Sequence, residues 1–284
     1  MMTIVAKAYL LLHRQLLRIY AACVPWSSTV GPILGGLRFE RDSSVMSLTI
    51  AKNCKYYDDN LRSFALLIRP NGSVIDVGAN IGIYACFAAQ KAGPEGRVFA
   101  FEATPKTFER LVRNSSLNNS GCIICTHVAL GNTKNGSTFI DQHKNDDSQN
   151  CLRSVSANTI ELGEQKVPIA RLDDCLSATD NFDVLKIDVE GAELIVLEGA
   201  SSVLKRCRTV LIEVFEPNLK KFNASSQTLL QLLESNGFSL FIWRNDRLIP
   251  LLNEHTFEIC CDVIALNKLF DQQHLKSLIL SHND

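Results

Sequence analysis

Short apolar runs alternate with segments of helical length along the first half of the chain. The runs are VIDV (74–77), RVFAFEA (97–103) and CIICTHVALG (122–131). Helices are predicted between them, at about 81–91 and at 105–119, because apolar positions recur there at helical spacing. Strands that alternate with helices predict βαβ units and a parallel sheet.

The alternation resumes after a polar stretch, DQHKNDDSQNCLRSVSAN (141–158). A loop of this length inside a compact domain often covers an active site. The elements predicted after it are strands at 167–172, 182–191 and 209–217, helices at 193–207 and 228–237, and strands at 238–243 and 260–267. The chain therefore predicts an α/β fold with one sheet.

The N-terminal part lacks this alternation of strands and helices. Residues 1–70 predict an extension made of a helix, a hairpin over 37–50 and a helix over 56–70, followed by one domain over 71–284. Segment 4–24 is apolar but carries four basic side chains, so its uncharged run is shorter than the ~20 residues that span a bilayer. We expect it to pack on the domain or on a partner, with peripheral membrane contact as the alternative.

Composition narrows the class of protein. The 284 residues are 46% hydrophobic and 21% charged, with 29 basic and 30 acidic side chains. A net charge of −1 provides no basic field for nucleic acid, so we expect no nucleic-acid partner. The 10 cysteines are scattered and no signal-peptide cleavage site is present, which favours reduced thiols in a cytoplasmic protein, with membrane association as the alternative.

The turn after the first strand carries the sharpest signal. It reads Asp76-x-Gly78-x-Asn80-x-Gly82. A dinucleotide fingerprint anchored on Gly78 would need glycines at positions 76 and 81, where the chain has Asp76 and Ile81, and no P-loop lysine follows Gly82. An acid at the strand end with glycines beside it indicates a ligand that carries positive charge and approaches the backbone closely.

A second acid follows at the end of the next strand. Glu102 lies 20 residues beyond Gly82, where a carboxylate can accept hydrogen bonds from both hydroxyls of a ribose. A nucleoside with a cationic tail satisfies both acids, and S-adenosylmethionine is such a molecule. A capped turn without a ligand, and a solvated acid at position 102, are the alternatives.

The ordered blocks VIDVGANIGIYA, VFAFEATPKTFERLVRN, VALGN, FDVLKIDVEGAELIVLEGA and VLIEVFEP resemble the FkbM family of S-adenosylmethionine-dependent methyltransferases. The resemblance covers about residues 72–217. It implies a class I, Rossmann-like sheet of seven mostly parallel strands with helices on both faces, and O-methylation. Carried over by position, it implies cofactor contacts at the methionine end from Asp76, Gly78, Asn80 and Gly82, at the ribose from Glu102, and near the adenine from Leu130.

Several acids converge where the acceptor is expected. Asp188 and Glu190 follow the fourth strand and Glu213 ends the fifth, so all three belong to the ligand-binding edge of the sheet. We predict that Asp188 is the general base or orients the acceptor, with Glu190 and Glu213 in support. His143, in the polar stretch, is a second candidate base. A divalent metal held by these oxygens is possible but not favoured.

The remaining roles stay open at this level. Lys186 is expected to pair with the acids or to contact the acceptor, and Glu193 to lie in the first turn of a helix. The acceptor is expected to be a hydroxyl of a small molecule, a sugar or a lipid-linked glycan. A non-catalytic scaffold that retains the fold, and N-methylation of an amine, are the alternative functions.

Overall fold

The computed structural model describes residues 29–30, 36–41, 50, 55–118, 120–142, 151–152, 163–252, 256–270 and 275. The strands are β1 Thr29–Val30, β2 Phe39–Glu40, β3 Ser73–Val77, β4 Arg97–Glu102, β5 Ile123–His127, β6 Ala129–Leu130, β7 Gly136–Gln142, β8 Cys151–Leu152, β9 Gly163–Ala170, β10 Phe182–Ile187, β11 Cys207–Val214, β12 Phe238–Arg244, β13 Arg247–Pro250 and β14 Cys261–Asn267. The helices are α1 Lys55–Leu67, α2 Ile83–Ala92, α3 Pro105–Leu117, α4 Leu172–Cys175, α5 Glu193–Glu198, α6 Ser201–Lys205, α7 Glu216–Leu219 and α8 Ser226–Ser235, with a 3-10 turn at Lys220–Phe222.

The main sheet has the order β13-β12-β14-β11-β10-β3-β4-β5. The five strands from β11 to β5 are parallel, and β14 is antiparallel to both of its neighbours. The prediction of a mostly parallel α/β sheet is confirmed. The main sheet has eight strands and not seven, because the chain turns after β12 and pairs back on it, with Trp243 opposite Leu248.

Helices cover both faces of this sheet. Alternate residues of each strand enter separate apolar cores, since successive side chains of a strand point to opposite faces. Val74 and Val184 pack into the core that contains α2, whereas Ile75 and Leu185 pack into the core that contains α5, α6 and α8. All six residues of β10 are buried, as expected for a central parallel strand.

The order of strands reverses at β3, which lies between β4 and β10. Gly78 N and Ala79 N both donate to the Phe101 carbonyl oxygen, and Asp188 N donates to Val77 O. These bonds hold the ends of the three strands together. A crevice at such a switch point, beyond the carboxyl ends of the strands, is where open α/β sheets bind ligands.

A second, smaller sheet has the order β6-β9-β7-β8. The run 122–131, predicted as one strand, is divided at Val128, so that β5 joins the main sheet and β6 joins the small one. The prediction of a loop over 141–158 was wrong at its start and middle, where β7 extends to residue 142 and β8 forms. Residues 143–150 and 153–158 lie outside the described residues.

One further prediction differs from the structure. The helix expected over 193–207 divides into α5 and α6 near Gly199, where a side chain would overlap the Gly131 carbonyl. β2 pairs with β1, and residues 42–49 of the hairpin predicted over 37–50 lie outside the described residues. The helix predicted at 4–24 also lies outside them. No helix that the structure describes has the length and apolar character needed to cross a bilayer.

Candidate active site

A cavity of about 290 Å³ lies beyond the carboxyl ends of the central strands. It is close to the lower limit of roughly 300 Å³ for small-ligand pockets. Its lining comprises Val77, Gly78, Ala79, Asn80, Ile81, Ile83, Tyr84, Phe101, Glu102, Ala103, Thr104, Val128, Ala129, Leu130, Ile140, Leu152, Lys186, Asp188, Val189, Glu190, Glu213 and Asp262. Four of the six predicted cofactor residues and all three predicted acids belong to it.

The strand order divides the cavity into two chemically different ends. One end is formed by the segment after β10, by the end of β11 and by the start of β14, and it carries all of the lining carboxyl groups except Glu102. We call it the acidic end. The other is formed after β4 and β5 and by the small sheet, and its side chains are mainly apolar; we call it the apolar end. The turn after β3 lies between them.

Gly78 adopts a left-handed conformation with φ of 76°. A β carbon at this position would overlap the carbonyl oxygen of Asp188. The glycine therefore lets the ends of β3 and β10 approach each other, while its backbone lines the cavity.

Gly82 has φ of 92° and precedes α2. A β carbon there would lie 2.7 Å from Leu111 Cδ1, so this position faces α3. Gly82 is not among the lining residues, which corrects the prediction that it contacts the cofactor. Leu111 Cδ1 is the end of a flexible side chain, so the left-handed backbone, and not helix packing, is what favours glycine here.

Glu102 is buried and ties two turns together. Its carboxylate oxygens accept from the backbone amides of Asn80, at 2.9 Å, and Thr104, at 2.7 Å. Burial raises the pKa of Glu102, while the hydrogen bonds from these amides oppose the rise. An ionised carboxyl can accept about four hydrogen bonds, so Glu102 retains capacity for ribose hydroxyls in the cavity.

Asp76 does not line the cavity, contrary to the prediction for this residue. It is 1% exposed, and neither of its carboxylate oxygens has a hydrogen-bond partner among the residues that the structure describes. Its position in β3 points the side chain into the core, where the nearest cation is Lys186 Nζ at 3.8 Å from Oδ1. Burial raises the pKa of Asp76 to about 6, although Lys186 opposes the rise. Asp76 therefore acts through Lys186 and has no direct contact with the cavity.

Lys186 is the one basic residue among the described residues that line the cavity. Its ammonium lies 3.2 Å from Asp188 Oδ2 and 4.6 Å from the centre of the Tyr84 ring. Burial disfavours the charged form, but the carboxylates of Asp188 and Asp76 outweigh burial and raise the pKa of Lys186. Lys186 is a permanent cation in this site.

The three predicted acids lie together. Asp188, Glu190 and Glu213 each offer a carboxylate oxygen within 4.8 Å of the others. Glu190 accepts from Asn218 Nδ2 at 2.8 Å, and the Cys260 thiol donates to Glu213 at 2.9 Å. Burial, reinforced by the Asp188 charge, raises the pKa of Glu190 to about 8 and that of Glu213 to about 9. At neutral pH these two groups hold protons.

Such a cluster has the ligand type and spacing for a divalent cation. Each of the three carboxyl groups already has a protein partner, however: Lys186, Asn218 and Cys260. Shared protons and these partners satisfy the cluster without a metal, so a metal remains the less favoured alternative.

Glu193 lies in the first turn of α5, as predicted, and it has a second role. It is 2% exposed, and one carboxylate oxygen accepts from the amides of Val189 and Gly191. It thereby holds the turn that presents Asp188 and Glu190, in addition to lying in the first turn of α5. Burial raises the pKa of Glu193 to about 7.

Several lining residues were not predicted. Asp262 pairs opposite Glu213 across β11 and β14 and adds a further acid. Ile140 and Leu152 come from the small sheet, and Tyr84 from the first turn of α2. A polar residue at the start of the final apolar run was the only sequence signal for Asp262. His143, predicted as a second candidate base, lies outside the described residues.

Comparisons with known proteins agree with this architecture. The family model described as the Methyltransferase FkbM domain matches residues 76–240. The chain is 30% identical over 190 residues to Methyltransferase 1 of Beauveria bassiana, covering 61% of this chain and 74% of that protein. It is 28% identical over 201 residues to Methyltransferase sdnD of Sordaria araneosa, covering 60% and 74%. It is 32% identical over 148 residues to Hexuronic acid methyltransferase AglP of Haloferax volcanii, covering 49% and 54%.

The family match includes the turn after β3, Glu102 and the acidic end of the cavity up to Glu213. It confirms the predictions of an enzyme, of S-adenosylmethionine-dependent methyl transfer, and of S-adenosylmethionine as the cofactor. The chain belongs to the FkbM family of methyltransferases.

Proposed function

We propose that this methyltransferase methylates a hydroxyl group of a neutral sugar or similar polyol in the cavity between β3, β4, β10 and β11. The observation that carries the proposal is the continuity of one cavity from Glu102 to the cluster of Asp188, Glu190 and Glu213. A ribose site and a proton-accepting site thereby belong to the same space.

The residues of the cavity fit the cofactor. Its apolar end suits a flat base, Glu102 suits ribose hydroxyls, and the carboxyl groups of the acidic end suit a positively charged tail. When bound, S-adenosylmethionine supplies a methyl group activated by a sulfonium. The turn at Gly78 and Asn80 lies between the two ends and provides backbone close to the ligand.

Asp188 is the group we assign to the acceptor proton. It is paired with Lys186, its side chain is 37% exposed, and it lines the cavity. Glu190 and Glu213, whose raised pKa values keep them protonated near neutral pH, can donate hydrogen bonds to acceptor oxygens. A positioned carboxylate that removes the hydroxyl proton contributes typically about 10²–10⁴-fold to rate.

The choice of a sugar follows from the polar groups and from one relative. Several carboxyl groups at one end can exchange hydrogen bonds with neighbouring hydroxyls of a polyol. AglP is named as a hexuronic acid methyltransferase. In this chain, even with Glu190 and Glu213 protonated, Asp188 and Asp262 outnumber the single lysine of the acidic end, so a uronate carboxylate would meet like charge. We therefore favour a neutral sugar over a uronic acid.

The test is titration calorimetry with S-adenosylhomocysteine, followed by transfer of labelled methyl to paired acceptors. Each pair consists of a neutral hexoside and the matching hexuronide. We expect the wild-type protein to bind S-adenosylhomocysteine, Glu102→Gln to weaken binding by about tenfold or more, and the exposed Glu109→Gln to leave binding unchanged. Label should enter the neutral member of a pair.

Binding that Glu102→Gln leaves intact, in a protein shown to be folded, would remove Glu102 from the ribose site. Label that enters only the hexuronide would overturn the choice of a neutral sugar. Label that enters only the amine of a matching amino sugar, offered as a third acceptor, would replace O-methylation by N-methylation.

A further inference from the structure

The small sheet reaches the cavity from three of its strands: β6 contributes Ala129 and Leu130, and β7 and β8 contribute one larger side chain each. Ile140 of β7 is 2% exposed and pairs with Leu152 of β8, and both residues line the apolar end. They belong to a compact apolar cluster formed by Ala129, Ile140 and Val167, against which Ala103, Leu152 and Ile169 pack. This cluster, the small-sheet core, lies beside the segments that follow β4 and β5.

The two faces of the small sheet differ in character. Phe139, the residue before Ile140, is 41% exposed and pairs opposite the exposed Lys166 on β9. Val167, the residue after Lys166, is 2% exposed and belongs to the small-sheet core, but it does not line the cavity. The inner face is therefore apolar, and Ile140 and Leu152 are the larger side chains, beside Ala129, with which it lines the cavity.

We propose that Ile140 and Leu152 form the wall against which the adenine base of the cofactor packs. The inference rests on the proposed function, which assigns the ribose to Glu102. Because the acidic end lies on the other side of the β3 turn, the base on that ribose must extend toward Val128, Leu130 and the small sheet.

The chemistry of this wall fits a purine. A purine has two flat, weakly polar faces, and aliphatic side chains exclude water from such a face without a specific hydrogen bond. The Glu102 carboxylate can fix the ribose, while Ile140 and Leu152 contact only the base. The small sheet is thus a determinant of cofactor affinity that the motif of the β3 turn does not contain.

The experiment compares Ile140→Ala, Leu152→Ala and Val167→Ala by titration calorimetry. The probes are S-adenosylhomocysteine and 5′-methylthioadenosine, which share the adenosine part and differ in the amino acid tail. We expect both cavity variants to weaken both probes by a similar factor of about tenfold, the loss that removing a few buried methyl groups produces. Val167→Ala removes apolar volume from the same core without a cavity contact, so it should change affinity by less than about twofold.

Leu152→Ala removes a partly exposed side chain from an edge strand and provides the test if Ile140→Ala does not fold. Equal weakening by Val167→Ala would show that loosening of the small sheet, and not contact, causes the loss, and the proposal would fall. It would also fall if the two cavity variants bound both probes as the wild type does, or if they weakened only the probe with the amino acid tail. Failure of the wild-type protein to bind S-adenosylhomocysteine would instead overturn the proposed site itself.

Discussion

The ammonium of Lys186 lies 3.2 Å from the carboxylate of Asp188, two residues further along the chain. The same ammonium lies 3.8 Å from Asp76 on the neighbouring strand β3. Register explains the arrangement, because Lys186 is directly opposite Asp76 in the β3–β10 pairing. One buried cation thus links an acid in the core to an acid in the cavity.

Replacing this cation should destabilise the fold. Lys186→Met leaves the Asp76 carboxylate buried without a counter-charge, and removal of one partner from a buried ion pair costs roughly 3–5 kcal/mol. The loss in free energy of unfolding should be smaller at pH 5 than at pH 8, because Asp76 has a pKa of about 6 with Lys186 present and a higher one without it. Urea unfolding of Lys186→Met and wild type at both pH values measures this loss.

Two variants control this experiment. Asp76→Asn combined with Lys186→Met should recover most of the lost stability, since it removes the stranded charge. Lys91→Met, which changes an exposed lysine at the end of α2, should change stability by less than about 0.5 kcal/mol. A double variant as unstable as Lys186→Met would contradict the pairing of Lys186 with Asp76.

Asp188→Asn should separate catalysis from binding. We expect turnover to fall by about 10²-fold or more, because the amide cannot take a proton, while affinity for S-adenosylhomocysteine stays within about twofold of wild type. The exposed Asp246→Asn in the turn after β12 is the matched control for turnover. Rates from single-turnover transfer of labelled methyl provide the measurement, and near-normal turnover in Asp188→Asn would transfer the role of base to another group.

Gly78 and Gly93 allow backbone strain to be separated from steric overlap. Both have positive φ, 76° and 80°. A β carbon at Gly93 would meet no atom of the described part of the chain within 4 Å, whereas at Gly78 it would overlap the Asp188 carbonyl. Gly93→Ala should cost about 1–3 kcal/mol from conformation alone, because φ of 80° with ψ of −175° is a region essentially restricted to glycine. Gly78→Ala should cost clearly more and should also weaken cofactor binding, because β3 and β10 must separate. Equal losses in urea unfolding would show that Gly78 is needed only for its dihedral angles.

Local patterning was sufficient to predict the central sheet and much of the site. The runs that form β3, β4 and β10 are short, apolar and followed by helices, and such elements place their carboxyl ends at one edge. Asp188 and Glu213 could therefore be assigned to this edge from their positions in the sequence. The sequence could not show that Asp76 lies outside the cavity. Whether its side chain points toward the core depends on the residue at which the chain leaves the sheet.

Long-range pairing is what the sequence does not reveal. Asp262 enters the cavity because β14 runs antiparallel beside β11 and brings its first residues to the same edge. Ile140 and Leu152 enter it because Ala129 pairs with Ile169 and initiates a separate sheet. Both contacts join segments that are far apart in the chain, and no local propensity encodes their partners.

The pKa of Glu213 predicts how stability depends on pH. Burial raises this pKa to about 9 from an ordinary value of 4.5, so the folded protein keeps a proton that the unfolded chain releases. The stabilisation is complete below about pH 4.5 and is lost as pH rises toward 9. The free energy of unfolding should fall by no more than about 1.4 kcal/mol per pH unit. The actual fall should be smaller, because solvent reaches the cavity. Glu213→Gln, which is neutral throughout, should flatten the fall in free energy of unfolding between pH 5 and pH 9, whereas the exposed Glu234→Gln should leave the slope unchanged. Glu190 and Glu193, whose pKa values are also raised, should leave a residual slope. Urea unfolding across that range decides the matter, because a slope in Glu213→Gln as steep as in the wild type would place the bound proton on another group.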